Sequence, residues 1–346
     1  MTVLKKFSSS IGLTLLIVLS FILVLGIIIG GYLIKGQVLL SKSANYTLEH
    51  ASYIILNNAI TFLEGLLTYD KTREINYNLD PWISFLEPRE LNDENLLGKL
   101  PAGCKLFAQI VPADGKFSLT NLVPIALGVV ERAPVLIRLF QSLGFDSDGE
   151  YWVSSKGEKF FFNSCETVAN LIDFMDADSE PIKLDECQGF ESPNNSDLFH
   201  NFRPEREEEL LLVPGFTFDR LIRALPFVKV VNPTVSVDIN SSPLEVLRAI
   251  EPNLSSFDLD SIMSFRSSLE GPFVQFNLNQ QISELLPNLD PQNLIRYIGT
   301  ENDNFEIVVK LECGAGVFYN KSYTKLTRVG GGRLLVDTYK SFRVKQ

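Results

Sequence analysis

Between Lys6 and Lys35 the chain carries no charged side chain, and the interval FSSSIGLTLLIVLSFILVLGIIIGGYLI is long enough to cross a bilayer core as a helix, which takes about 20 apolar residues. Beyond it the pattern changes. Leu48, Ala51, Ile55, Ala59, Phe62 and Leu66 recur every three or four positions with polar residues between them, which is the period of a helix with one apolar face. One helix over 13–68 is predicted, with a membrane half (13–34) and an amphipathic half (35–68) whose apolar stripe needs a partner surface. A secretory signal peptide is the alternative, but its apolar region normally runs about 7 to 15 residues before a small-x-small site, and no such site follows here. Lys5 and Lys6 favour a cytoplasmic start and a body outside the cytoplasm, although Lys35 and Lys42 on the far side oppose them.

The body alternates between two patterns. Cys104 to Leu119 holds two apolar-rich stretches around Asp114-Gly115, a dipeptide suited to a tight hairpin, so two strands are expected there. From Asn121 to about Pro287 the spacing is helical, punctuated by Pro and Gly, and from Asn304 to Val344 alternation returns. Lone hairpins are marginal in water. Strands on both sides of a helical block therefore suggest one sheet interrupted by an insertion, with the long helix across its inner face. The expected units are the first part of a sheet (69–121), an inserted helical domain (122–287) and closing strands (288–346). Two independent domains in series are the alternative.

Composition narrows the chemistry. The 346 residues are 45% apolar and 21% charged, and residues 36–346 carry 28 basic against 42 acidic groups. Such a body is a poor polyphosphate binder, because nucleic-acid affinity comes from Lys and Arg displacing counterions. Only His50 and His200 are present, which removes a histidine-rich metal centre. No G-x-S-x-G, Walker A loop or strand-following G-x-G-x-x-G occurs. Ser322-Tyr-Thr-Lys325 matches S-x-x-K but lies in an alternating strand without companion motifs, and Gly330-Gly331-Gly332 reads as a turn. No enzymatic reading is supported.

Four cysteines show no C-x-x-C spacing. In an oxidising compartment Cys165 with Cys187 would bracket an acidic loop and Cys104 with Cys313 would tie the two strand groups; free buried thiols are the alternative. In LIDFMDADSEP, Asp173, Asp176, Asp178 and Glu180 cluster at a helix end. Oxygen ligands at such spacing suit calcium, yet counting from Asp176 puts Pro181 and Cys187 where an EF-hand needs glycine and glutamate. A solvated acidic loop is the plain alternative. Asp146-Ser-Asp148-Gly-Glu150 reads as a turn, and Glu205 to Glu209 as the first turn of a helix starting at Pro204, where acids suit the backbone dipole.

A short polar head, an apolar half-helix and an amphipathic half-helix form the layout of type IV pilin-like proteins. Gly12 before Leu13-Thr-Leu-Leu-Ile17 resembles their leader-cleavage site, which implies a leader over 1–12. Further along, EELLLVPGFTFDRLIRALPFVKV and VSVDINSSPLEVLRAI resemble the two small helical repeats of the K-type minor pseudopilins of type II secretion systems, through Glu209, Val213, Pro214, Gly215, Pro226, Phe227, Val228, Asn240, Ser241, Pro243, Val246 and Leu247. DGKFSLTNL and LIDFMDADSEP are similar to two further elements of that family, in the same order.

The resemblance implies an α+β fold: a pilin-like long N-terminal helix on a small antiparallel sheet, with a large, mostly helical domain of two SAM-like or helix-hairpin-helix-like repeats inserted between strands. It implies a subunit at the tip of a periplasmic pseudopilus, anchored in the inner membrane with its N-terminus cytoplasmic. The implied partners are the I-type and J-type minor pseudopilins, the major pseudopilin, the prepilin peptidase and the inner-membrane secretion platform. It also implies structural calcium, with Asp173, Asp176, Asp178 and Glu191 as matching ligands, although Phe190, Ser192 and Phe174 depart from the family pattern.

The fifth residue after Gly12 is Ile17. In pilin-like fibres a glutamate there neutralises the amine of the preceding subunit, a charge otherwise costly in apolar surroundings. A tip subunit has no predecessor. The different-class alternative is a membrane-anchored DNA receptor of the helix-hairpin-helix type, but its hairpin, Glu251-Pro-Asn-Leu-Ser-Ser-Phe-Asp258, holds two carboxylates and no glycine.

Overall fold

The computed structural model describes residues 3–69, 75, 80–92, 100–122, 132–154, 156–178, 180–191, 202–231, 234–314, 316–329 and 333–345. Gly330 to Gly332 and His200 lie outside the described residues. Helix α1 (Val3–Leu67) has 65 residues and runs unbroken through Gly12 and Leu13, roughly 100 Å at 1.5 Å per residue.

The lower end of α1 lies on a five-stranded antiparallel sheet of β1 (Arg89–Leu91), β2 (Lys105–Pro112), β9 (Asn304–Cys313), β10 (Gly316–Val329) and β11 (Arg333–Lys345), in that spatial order. Six further short strands and a set of helices fall between β2 and β9 among the described residues. Along β9, Phe305, Ile307, Val309 and Leu311 point to α1, where Ile55, Leu56, Ala59, Ile60, Leu63 and Leu67 meet them together with Leu106, Ala108 and Ile110 of β2. Trp82 is fully buried and packs edge-on against Phe305 with ring centroids 5.1 Å apart. The buried stripe on α1 is shifted from the one expected: Ile55 and Ala59 are buried as expected, but Ser52, Leu56, Ile60 and Leu63 are buried with them, whereas Ala51, Phe62 and Leu66 are half-buried. Asn320 and Thr324 of β10 donate to Asn57 and Glu64 of α1 at 3.3 and 3.2 Å. These polar contacts favour the rotated face.

Between the adjacent strands β2 and β9 the chain builds a second body with its own core. Its helices are α2 (Ala133–Ser142), α3 (Ser164–Met175), α4 (Phe218–Ala224), α5 (Leu244–Ile250), α6 (Ser256–Ser267), α7 (Leu278–Leu285) and α8 (Pro291–Ile295). Leu136, Phe140, Leu171, Phe216, Leu247, Ile262 and Ile282 are among the side chains they bury together. Helix α3 starts in a reciprocal cap: Asn163 accepts from the Glu166 amide at 2.8 Å, and Glu166 accepts from the Asn163 amide at 2.9 Å.

Three sequence expectations are corrected here. Asp114-Gly115 does not close a hairpin: β3 (Phe117–Ser118) leaves β2 and pairs in parallel with β6 (Val228–Lys229). Asp114 is instead a buried acceptor, and Gly115 passes so close to Ser241 that an added Cβ would lie 2.5 Å from its backbone carbon. The inserted body also overruns 122–287, because Phe117 and Leu119 before it and Leu294 and Ile298 after it belong to its core, and β7 (Val237–Asp238) pairs with β8 (Ile298–Gly299). The closing strands begin at Asn304. Finally, the acids after Pro204 form a short 3₁₀ turn, Glu207–Leu212, rather than an α-helix.

Both cysteine pairs are disulfides. Cys104 precedes β2 and Cys313 ends β9, so their bond ties the two strands that flank the insertion. Cys165 in the first turn of α3 is bonded to Cys187. A small antiparallel pair, β4 (Trp152–Val153) with β5 (Lys159–Phe160), completes the helical body.

Candidate functional site

Three features of the chain bear on function: the bare part of α1, the loop after α3 and the junction between sheet and insertion. Leu16–Leu40 is long and apolar enough to cross a membrane and has no buried share within the fold. Its 25 residues make about 37 Å of helix against a hydrocarbon core of about 30 Å. Leu19, Phe21, Ile22, Leu25, Ile28 and Leu33 are all exposed, which in water is an unmet hydrophobic surface and in lipid is not. Ile17 stands exposed at the start of this rod, among apolar neighbours.

The loop after α3 gathers carboxylates. Asp176, Asp178 and Glu191 each place an oxygen within 4.8 Å of the others. Asp178 is exposed, Asp176 half-buried and Glu191 only 3% exposed. Asp176 Oδ1 and Glu191 Oε2 are buried without a hydrogen bond. Burial, with Asp178 and Glu191 nearby, pushes Asp176 up to about 7. Glu191 is raised as well, by burial and then by Asp178. Like charges this close, with buried lone pairs unmet, fit a hard cation held by oxygen ligands.

Asp173 lies beside this trio, and its Oδ2, like Asp176 Oδ1 and Glu191 Oε2, is buried without a hydrogen bond. It is fully buried at the end of α3, its Oδ1 accepts the Ile182 amide at 2.8 Å, and its Oδ2 sits where a Cβ on Gly189 would come within 1.8 Å. Burial first, and then the Asp176 and Glu191 charges, push it up to about 7. One turn earlier, the Asn170 amide accepts from the Phe190 backbone at 2.7 Å and donates to the Pro214 carbonyl at 3.1 Å. Asn170 was not singled out in the sequence. A polar residue three positions before Asp173, within the otherwise apolar ANLIDFM, is the signal that would have found it.

The residues that carried the family resemblance prove to be structural. Glu209 closes back onto the amides of Glu205 and Arg206 at 2.6 and 3.1 Å. Gly215 has φ +109° and lies against Thr167, 2.6 Å from where a Cβ would stand. Asn240 both accepts from and donates to the backbone of Phe273, at 2.9 and 3.0 Å. Asp114 accepts from Asp303, Asn304 and the Lys229 ammonium. Lys116 pairs with Glu306 at 2.7 Å, and Lys321 bridges Glu306 and Glu207 at 3.1 and 2.9 Å. Burial pushes Lys229 down, against the pull of Asp114.

The turn at Asp146 to Glu150 has a further use. Asp148 takes two bonds from the buried Arg220, at 2.8 Å each, and one from Arg223. Burial alone would raise its carboxyl, but the Arg220 bonds, the Glu150 amide and Arg223 hold it at about 2. In the hairpin between α5 and α6, Glu251 Oε1 accepts both the backbone and side-chain amides of Asn253, at 3.1 and 2.9 Å. A carboxylate of the chain itself thus takes the Asn253 backbone amide of this hairpin, a donor of the kind that phosphate would need.

No protein-family profile matches the sequence, and no curated protein matches it. Among solved structures, the chain is similar to one from the crystal structure of the GspK-GspI-GspJ complex from the enterotoxigenic Escherichia coli type 2 secretion system. The two share 14% identity with a TM-score of 0.60, over 86% of this chain and 99% of that one. The protein therefore has a pilin-like α+β fold of the kind found in that secretion complex.

Proposed function

We propose that this chain is a K-type minor pseudopilin, anchored in the inner membrane by α1 and standing at the tip of a periplasmic pseudopilus, where it helps to initiate assembly and the export of folded proteins. The observation that carries this reading is the likeness to a component of the GspK-GspI-GspJ complex along almost the whole of that component. The exposed rod Leu16–Leu40 supplies an anchor and a surface for bundling with similar rods. A bulky helical body emerging between β2 and β9 hinders a further subunit above it, and isoleucine at position 17 suits a subunit with no predecessor.

In this reading the prepilin peptidase cuts between Gly12 and Leu13, I-type and J-type minor pseudopilins are the immediate neighbours, and the major pseudopilin and the inner-membrane platform lie below. The role is assembly rather than catalysis. Asp176, Asp178 and Glu191 would hold a structural calcium ion, with Asp173 shaping the loop. The function is tested by deleting the gene from its host and following the exported proteins. They should accumulate folded in the periplasm and be released again when the full chain is restored; export that continues undiminished overturns the reading.

A further inference from the structure

We infer that the Cys165–Cys187 disulfide is a positioning element of the cation site, so that cation affinity and the oxidation state of this bond are linked. The inference rests on the calcium reading above. Three carboxylates within 4.8 Å of one another repel, and two of their oxygens are buried without a hydrogen bond. A chain free to relax would move them apart. Something other than the carboxylates must therefore hold Glu191 against Asp176 and Asp178.

The restraints come from one helix. Asp176 directly follows α3. The chain then returns as a small hairpin in which Gly189 donates to the Ile182 carbonyl and Leu184 to that of Cys187, both at 2.9 Å, with Lys183 bridged to Gln188. Asp173 holds the Ile182 amide and Asn170 holds the Phe190 amide, next to Glu191. These two clasps fix one end of the hairpin, and Cys187 near its other end is bonded to Cys165 in the first turn of α3. The disulfide thus joins two positions 22 apart in sequence with Asp176 and Asp178 between them, and Glu191 lies four positions beyond. Without it the hairpin pivots on two hydrogen-bonded points, and Glu191 is no longer held at ligand distance.

Groups that orient metal ligands are worth about 10-fold to 100-fold in affinity. By linkage, a cation that binds the oxidised form more tightly stabilises the disulfide by the same factor. The exchange is balanced: the disulfide and two glutathione thiols give two cysteine thiols and one glutathione disulfide, with two electrons passing to the protein.

The test uses the full chain in detergent and calcium alone as the probe. Calorimetric titration should show binding to the native protein, none to Asp178→Asn, and affinity at least about tenfold weaker in Cys165→Ser/Cys187→Ser. In a glutathione redox buffer, saturating calcium should shift the Cys165–Cys187 equilibrium of the native protein toward the disulfide by about tenfold or more, read by peptide mass mapping that separates it from Cys104–Cys313. The second measurement needs no variant and decides the matter if the double variant fails to fold. Equal calcium affinity in the double variant, or an equilibrium unmoved by calcium, overturns the inference and leaves the site standing. No binding to the native protein removes the site and the inference together.

Discussion

Asp114 and Asn304 are 190 residues apart in sequence, yet the Asp114 carboxylate accepts both the backbone amide and the side-chain amide of Asn304, at 3.0 and 2.8 Å. They stand where the chain leaves the sheet after β2 and where it returns to form β9. The same carboxylate takes the buried Lys229 ammonium, and the Asp114 carbonyl accepts from Asp238. One residue therefore locks the exit and re-entry of the insertion and two strands of the inserted body, its side chain holding Asn304 and Lys229 and its backbone carbonyl holding Asp238.

Replacing Asp114 by alanine leaves Lys229 buried without its charge partner and the amides at 303 and 304 without an acceptor. Breaking one side of a buried pair costs about 3–5 kcal/mol, and chemical denaturation of the full chain in detergent should show a loss of that order. A loss below about 1 kcal/mol would remove Asp114 as the lock. Gly115→Ala should also destabilise, since its Cβ meets Ser241 backbone atoms that cannot swing aside.

Asp238 is 1% exposed; burial pushes its carboxyl up to about 7 despite bonds from Ser241 and the Asn240 amide. Because the folded state holds this proton more tightly than the unfolded chain, the contribution to stability is full below about pH 4 and is lost as pH rises through about 7. Asp238→Asn keeps both contacts, with Ser241 turning to accept, and carries no such dependence. The melting temperature of the variant minus that of the native chain should increase from about pH 4 to about pH 8. A difference that stays flat contradicts the assignment.

Much of this was legible in the sequence. The long helix was readable because a charge-free run and a 3.6-residue stripe are local signals, and the insertion between strands followed from the order of patterns, whereas the sequence left the two disulfides open against free buried thiols. Misreadings arose where distant partners decide. Asp114-Gly115 looks like a hairpin turn, but its geometry is set by Asn304, Lys229 and Ser241, none of them nearby in the chain. The end of the helical body was misplaced because β8 and α8 are short and gain their burial only against β7 and the helical core. Glu207 reads as one acid of a solvated first turn, whereas Lys321 of β10, 114 residues on, makes it half of a buried pair. At the carboxylate cluster the residue types were visible from spacing, but their local partners were not: Asp173 shares the motif and also clasps the Ile182 amide.

Calcium should stabilise the folded chain alone. At 100 times its dissociation constant a ligand adds about 2.7 kcal/mol, so calcium should raise the melting temperature, and Asp178→Asn should abolish the rise. An identical melting curve with calcium and with chelator argues against a cation at Asp176, Asp178 and Glu191.

Ile17 offers a test of position within the fibre. In the proposed role no subunit lies ahead of this chain, so it has no use for glutamate there and is not required to exclude it. Ile17→Glu should still insert in the membrane and recover the minor pseudopilins proposed as its partners in amounts within about twofold of the native chain. Loss of those partners with insertion intact contradicts the explanation offered for this residue.

The central claim is that α1 stays on the mature protein and bundles with like helices while the acidic body is carried outward. Affinity purification of the tagged full chain from host membranes, with mass spectrometry of everything retained, tests it most directly. The account predicts a mature N-terminus at Leu13 and the I-type and J-type minor pseudopilins bound alongside. A chain recovered without them, or one whose N-terminus lies beyond Lys35, would contradict it.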